Sequence, residues 1–117
     1  MSRNESTVRL RHMLDHSKEA IALARQKTRA DLDSDRMLNL ALVRLLEIVG
    51  EAASRTPPDE RARYEQIPWN EIVGLRNRLI HGYDAVDFDI VWQIVRRDLP
   101  VLVVAVLEKI LPPEAGA

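Results

Sequence analysis

A chain of 117 residues is long enough to bury one hydrophobic core and too short for two domains. Seventeen Lys and Arg stand against 18 Asp and Glu, a formal charge of -1, so no global positive field draws the molecule to nucleic acid and any such site must be a local patch. The absence of cysteine excludes disulfides and thiolate chemistry, and 46% apolar residues with only 4% aromatics favour helices packed through Leu, Val, Ile and Ala over a β-sandwich.

Leu10, Met13, Leu14, Ser17, Ala20, Ile21 and Ala24 recur at three-four spacing with charged residues between them, which predicts an amphipathic helix from about Ser6 to Lys27. Asp31 to Asp35 reads as a polar break, with Asp33 or Ser34 as N-cap and Asp35 in the first turn of a second helix running to about Ser54. Its stripe of Leu38, Ala41, Leu42, Leu45, Val49 and Ala52 is flanked by Met37, Leu40, Leu46 and Ile48. Two apolar faces call for two partners, the helix's own bundle and a second subunit. Thr56-Pro57-Pro58 ends this helix, Asp59 to Tyr64 forms at most a short helical turn, and Ile67-Pro68 stops the chain again. Pro68 suits the first turn of a third long helix, with Ile72, Leu75, Leu79 and Ile80 toward the core and Gly82 as the C-cap residue. A final helix starts near Asp87 or Asp89 and carries Val91, Ile94, Val95, Leu102, Val103, Val106 and Ile110. Pro100 kinks or divides it, Asp98 is able to cap the second piece, and Pro112-Pro113 ends it. The expected fold is an all-α antiparallel bundle of four principal helices plus a short one, in a single domain. A polar N-terminus, and an apolar run at residues 99–107 far short of the ~20 residues of a membrane span, predict a soluble cytoplasmic protein.

Chemistry concentrates in Arg76-Asn77-Arg78-Leu79-Ile80-His81-Gly82-Tyr83. A guanidinium grips phosphate with two prongs, an imidazole moves protons near neutral pH, and a phenol stacks on a base or accepts a covalent group. On an ideal helix five positions set Arg76 and His81 roughly 140° apart and ~7.5 Å along the axis, so they do not share a face. A helix ending at His81, or two copies meeting at a shared cleft, would bring them together. The structural alternative is that Arg76 pairs with a core-edge carboxylate, Glu47 or Glu51, while His81 merely finishes a helix.

The motif resembles the R-x4-H-x-Y signature of HEPN domains and, among them, of HepT-like ribonuclease toxins paired with small nucleotidyltransferase antitoxins. Arg76, His81 and Tyr83 match the named positions, and Asn77 supplies the polar residue that commonly follows the arginine. The likeness extends over nearly the whole chain, including the long helix pair, the Ile67-Pro68-Trp69 approach and the Asp-rich exit to the last helix. It implies a single HEPN-like domain over residues 1–117, a homodimer with a composite site, and a toxin of a type VII-like pair that cleaves RNA, tRNA or mRNA, through 2′-hydroxyl attack. Arg76 and His81 would then be catalytic, with Asn77, Arg78 and Tyr83 supporting or holding substrate. No metal or cofactor is required. The implied partner is an MntA-like minimal nucleotidyltransferase that adenylylates Tyr83. The competing expectation is a non-catalytic helical subunit that binds nucleotide or supports a nucleotidyltransferase.

Other residues carry weaker signals. His12 and His16 have the spacing of a helical metal pair but no third ligand, and read as exposed or packing histidines. Glu47 and Glu51 share a face, but the chain has no Glu-x-x-His unit for a di-metal site, so both read as salt-bridge partners of arginines, with Gly50 between them permitting close helix approach. Arg9, Arg11, Arg96 and Arg97 would extend a phosphate surface only if the helices bring them together, and Trp69 and Trp92 read as core anchors.

Overall fold

Residues 3–79 and 85–112 are described by the structure, a computed structural model. Helix α1 (Arg3–Ala24) buries Leu10, Met13, Leu14, Ser17, Ala20 and Ala24, so the expected stripe is the packed one. It ends before Lys27 because Arg25 and Lys27 donate to the Ala22 and Ala24 carbonyls, tightening the chain into turns.

The polar break proves to be a short helix, α2 (Arg29–Ser34). The Asp31 carboxylate accepts from the Thr28 N–H at 2.7 Å, and Leu32 is buried. Asp33 is taken by Arg29 at 3.1 Å, and the N-cap of the next helix falls instead to Asp35, whose carboxylate accepts from Leu38 N–H at 3.0 Å. Helix α3 (Arg36–Ser54) runs through the centre of the fold and packs on α1. Buried Asn39 donates to the Leu32 carbonyl at 2.9 Å and accepts from Arg36 at 3.2 Å, so its amide is satisfied while it joins α2 to α3.

Helix α4 (Pro58–Arg63) supplies Arg61, which donates to the Ala53, Ser54 and Thr56 carbonyls at the end of α3. The Ala53 carbonyl also accepts from the Thr56 N–H at 3.1 Å, and the guanidinium completes the bonding of the carbonyls at this helix end. Trp69 is the expected core anchor: its ring is buried, and its N–H is shared by the Arg61 and Tyr64 carbonyls, each at 3.1 Å.

The expected third long helix is two short ones, α5 (Trp69–Val73) and α6 (Leu75–Leu79), joined at Gly74. Pro68 lies just outside α5 as its N-cap, and Gly74, a poor helix former, sits at φ -80° and ψ 0°. Gly50 provides the close approach expected of it. A Cβ there would lie 3.2 Å from the Ile72 carbonyl oxygen and 3.7 Å from the Leu75 Cβ. Gly50→Val is therefore expected to destabilise the fold by about 2 kcal/mol, through overpacking against backbone that cannot swing aside. A urea melt is the check, and an unshifted midpoint would show that α5 and α6 yield freely.

The last helical run starts at α7 (Phe88–Gln93), where Asp87 accepts from the Asp89 and Ile90 N–H groups at 2.9 and 3.3 Å. It continues as a π-helical segment (Ile94–Val104) and closes as α8 (Ala105–Ile110). The disturbance expected at Pro100 takes the form of this change in helix type, and Asp98 pairs with Arg78 rather than capping a new start. Buried Val95, Leu99, Val103, Leu107 and Leu111 explain the segment. Four-residue steps over-rotate by ~40° each in an α-helix and would wind the stripe off the core. The wider i→i+5 turn rotates each residue less and offsets that drift. Principal-axis extents of 42 × 34 × 19 Å make the molecule a slab about two helices thick, leaving outer faces uncovered.

Candidate functional site

Of the expected site residues, Arg76, Asn77 and Arg78 lie on α6, while His81 and Tyr83 fall outside the described residues. The described backbone on both sides of them is firmly held. On the near side, α6 is fixed to α3 by the contact at Gly50 and to the π-helical segment by Arg78, whose Nη2 lies 3.3 Å from Asp98 Oδ2. On the far side, the Asp87 N–H donates to the Leu79 carbonyl at 2.8 Å, bringing the start of α7 back against the end of α6. Arg29 reaches Asp89 at 2.7 Å and ties that start to α2. Its guanidinium is raised above its ordinary range, first by the hydrogen bond to Asp89 and then by that to Asp33. A raised cation gives stability that is complete below the unfolded value and lost only at still more alkaline pH, so this clamp does not titrate near neutrality.

The two arginines of the motif have different surroundings. Arg78 is half-buried in its pair with Asp98 and joins two elements. The Arg76 side chain is 72% exposed, with its Nε 4.0 Å from Oε2 of Glu47, a carboxylate 31% exposed on α3. The pairing thus selects Glu47 from the two carboxylates considered, while Glu51 holds Arg55 at 2.8 Å. It does so without burying the guanidinium, which stands available to an anion. Asn77 is exposed beside it.

The same face of α3 carries an unpartnered apolar surface. Met37, Leu40, Arg44, Glu47 and Glu51 fall within about 80° on the helix circumference. Met37 is 83% and Leu40 51% exposed, whereas Leu46, expected with them on the flank, is buried in the core. Val101, 65% exposed, adds a large apolar side chain that helical periodicity did not single out, because the π-helical turn changes which residues face out.

The remaining candidates are not drawn to this site. Arg11 donates to the Pro112 carbonyl, and Arg96 donates to the Lys27 carbonyl at 2.9 Å while stacking 4.7 Å over the half-buried Trp92 ring. His16 donates through Nδ1 to the His12 carbonyl at 2.8 Å, with the two rings edge to face. Among the described residues, no group of three His, Asp or Glu side chains could hold a metal ion, and no helix is long and apolar enough to cross a membrane.

Comparison with known proteins gives a consistent answer. Residues 13–109 match a family model described as ribonuclease HepT-like. A protein of Methanocaldococcus jannaschii named "Putative RNase MJ1380" is 34% identical over 100 residues, covering 86% of this chain and 92% of the relative. "Putative RNase TTE0752" of Caldanaerobacter subterraneus subsp. tengcongensis is 36% identical over 93 residues, covering 80% and 83%. "Probable ribonuclease HepT" of Thermococcus cleftensis is 38% identical over 93 residues, covering 76% and 84%. No solved structure matches the chain significantly.

Proposed function

The chain belongs to the HepT-like ribonuclease family, and we propose on that footing that it is a metal-independent endoribonuclease acting as the toxin of a toxin-antitoxin pair. The observation that carries this reading is the exposed Arg76 guanidinium on a firmly held α6, five residues before the only histidine outside α1. His81 follows Leu79, the last residue of α6, by two positions in the sequence.

In the proposed reaction a ribose 2′-oxygen attacks the adjacent phosphorus. Its proton passes to a general base, the phosphorus bond to the 5′-oxygen breaks, and that oxygen leaves protonated. The products are a 2′,3′-cyclic phosphate and a 5′-hydroxyl. His81 serves as base or acid, since an unperturbed imidazole with a pKa of ~6.5 exchanges protons readily near neutral pH. Arg76 stabilises the charge that builds on the non-bridging oxygens. Asn77 orients a phosphate or the imidazole, and Tyr83 holds a base. Arg78 supports from a distance, because its pairing with Asp98 directs it to the scaffold.

The site belongs to a homodimer. Support comes from the position of Arg76 beside Glu47, on the α3 face that exposes Met37 and Leu40. A second copy covering those side chains would bring its own motif toward this edge, solving the poor reach between Arg76 and His81 within one helix.

Expression of the protein alone in the cytoplasm is expected to arrest growth, and His81→Ala to relieve the arrest with no loss of helix content. Equal toxicity from the variant would leave a non-catalytic binding subunit as the better reading. The partner is a minimal nucleotidyltransferase that adds AMP to Tyr83. An added phosphate and adenosine would occupy the guanidinium and block RNA. Mass spectrometry after co-expression is expected to find AMP on Tyr83, whereas unmodified Tyr83 in a fully neutralised protein would mean inhibition by binding alone.

A further inference from the structure

We propose that Glu47 is a positioning residue for the ribonuclease reaction, holding the Arg76 guanidinium by its inner edge so that its outer fork meets the scissile phosphate; the inference rests on the reading of Arg76 above. The contact runs from Nε, the nitrogen nearest the side-chain stem, to Glu47 Oε2. An arginine held at Nε keeps both terminal amino groups for a bidentate grip on an anion, whereas a carboxylate across the terminal fork would compete for it. At 4.0 Å the pair lies beyond hydrogen-bond length. Glu47 therefore biases the guanidinium's direction electrostatically without occupying its donors.

The backbone makes this arrangement dependable. Glu47 lies three residues before Gly50 on α3, and Arg76 directly follows Leu75 on α6. At Gly50, α3 approaches α5 and α6 so closely that an added Cβ would touch the Ile72 carbonyl of α5 and the Leu75 side chain of α6. The backbones that carry Glu47 and Arg76 are thus set against one another by the close approach at Gly50. Glu51, one turn along α3, is engaged by Arg55 at 2.8 Å and leaves Glu47 as the partner of Arg76. The Glu47 side chain is 31% exposed at the edge of the core, so Glu47→Gln, which keeps its volume, separates loss of charge from loss of packing.

The test compares wild type, Glu47→Ala, Glu47→Gln and Arg76→Ala on a short single-stranded RNA carrying a fluorophore and a quencher, together with the NMR signal of the Arg76 Nε–H group. For Glu47→Ala, kcat is expected to fall about tenfold to a hundredfold, with KM changed less than about twofold, the pattern of a misdirected rather than missing group. Glu47→Gln is expected to recover little of kcat, since it keeps the shape of the side chain but removes the charge that directs the guanidinium. Combining Glu47→Ala with Arg76→Ala is expected to add nothing to Arg76→Ala alone. The Arg76 Nε–H signal should lose order in Glu47→Ala. Unchanged order of that group, or a Glu47→Ala enzyme at least as fast as wild type with a lower KM, overturns the proposal and makes Glu47 a competitor of the phosphate. Wild-type activity in Arg76→Ala would instead sink the underlying reading, and the assignment of Glu47 with it.

Discussion

Arg76→Ala protein is expected to fold as the wild type does and to cleave RNA about 10²- to 10³-fold more slowly. The first half follows from exposure: a side chain 72% in solvent contributes little to the core, and its ion pair with Glu47 is of the weak surface kind. The second follows from chemistry, because the guanidinium would meet charge that exists fully only in the transition state. Arg76→Lys should recover part of the rate, since an ammonium keeps the charge but not the planar fork. Circular dichroism with single-turnover cleavage separates the two halves. A variant that unfolds would return Arg76 to the structural role of holding α6 to α3, and an unchanged rate would remove it from the site.

Leu40→Asp is expected to convert the protein from dimer to monomer at micromolar concentration and to reduce cleavage by at least tenfold, with the helical fold retained. Leu40 and Met37 are among the most exposed large apolar residues described, and they occupy the face of α3 that reaches Glu47 and Arg76. A charge there costs the free subunit little, yet a facing copy would have to bury it unpaired. Light scattering reads the first effect. Mixing Arg76→Ala with His81→Ala protein is a complementary check, because a cleft built from both chains should regain part of its activity. A wild-type monomer, or a fully active monomeric Leu40→Asp protein, would place the whole site within one chain.

How much of this was legible in the residues varied with the range of the forces involved. The stripe of α1 and the inner face of α3 could be read directly, because each buries side chains repeated at helical spacing. Helix α2 could not. It has a single buried apolar residue, Leu32, and its support includes an ion pair between Arg29 and Asp89, 60 positions away. The register of the last helix was blurred by its π-helical turns, which bury Leu99 and Leu107 and leave Leu102 and Val106 only partly covered. Met37 and Leu40 were legible as surplus apolar residues, whereas which flank residue turned inward, Leu46, depended on how α3 lay among its neighbours. The motif itself was legible because its residues are contiguous. The choice of Glu47 over Glu51 as the partner of Arg76 was not, since it depends on the contact at Gly50 that sets α3 against α6.

The central claim is that Arg76 and His81 drive cleavage through the ribose 2′-hydroxyl without a metal ion. Its most direct test is to incubate purified wild-type and His81→Ala protein with a defined single-stranded RNA in excess EDTA and to identify the new ends. The expected result is cleavage by the wild type that leaves 2′,3′-cyclic phosphate and 5′-hydroxyl ends, with the folded His81→Ala protein slower by about 10²- to 10⁴-fold. Cleavage that stops in EDTA and returns with Mg²⁺ or Zn²⁺, or a folded His81→Ala protein that cleaves at the wild-type rate, would contradict it.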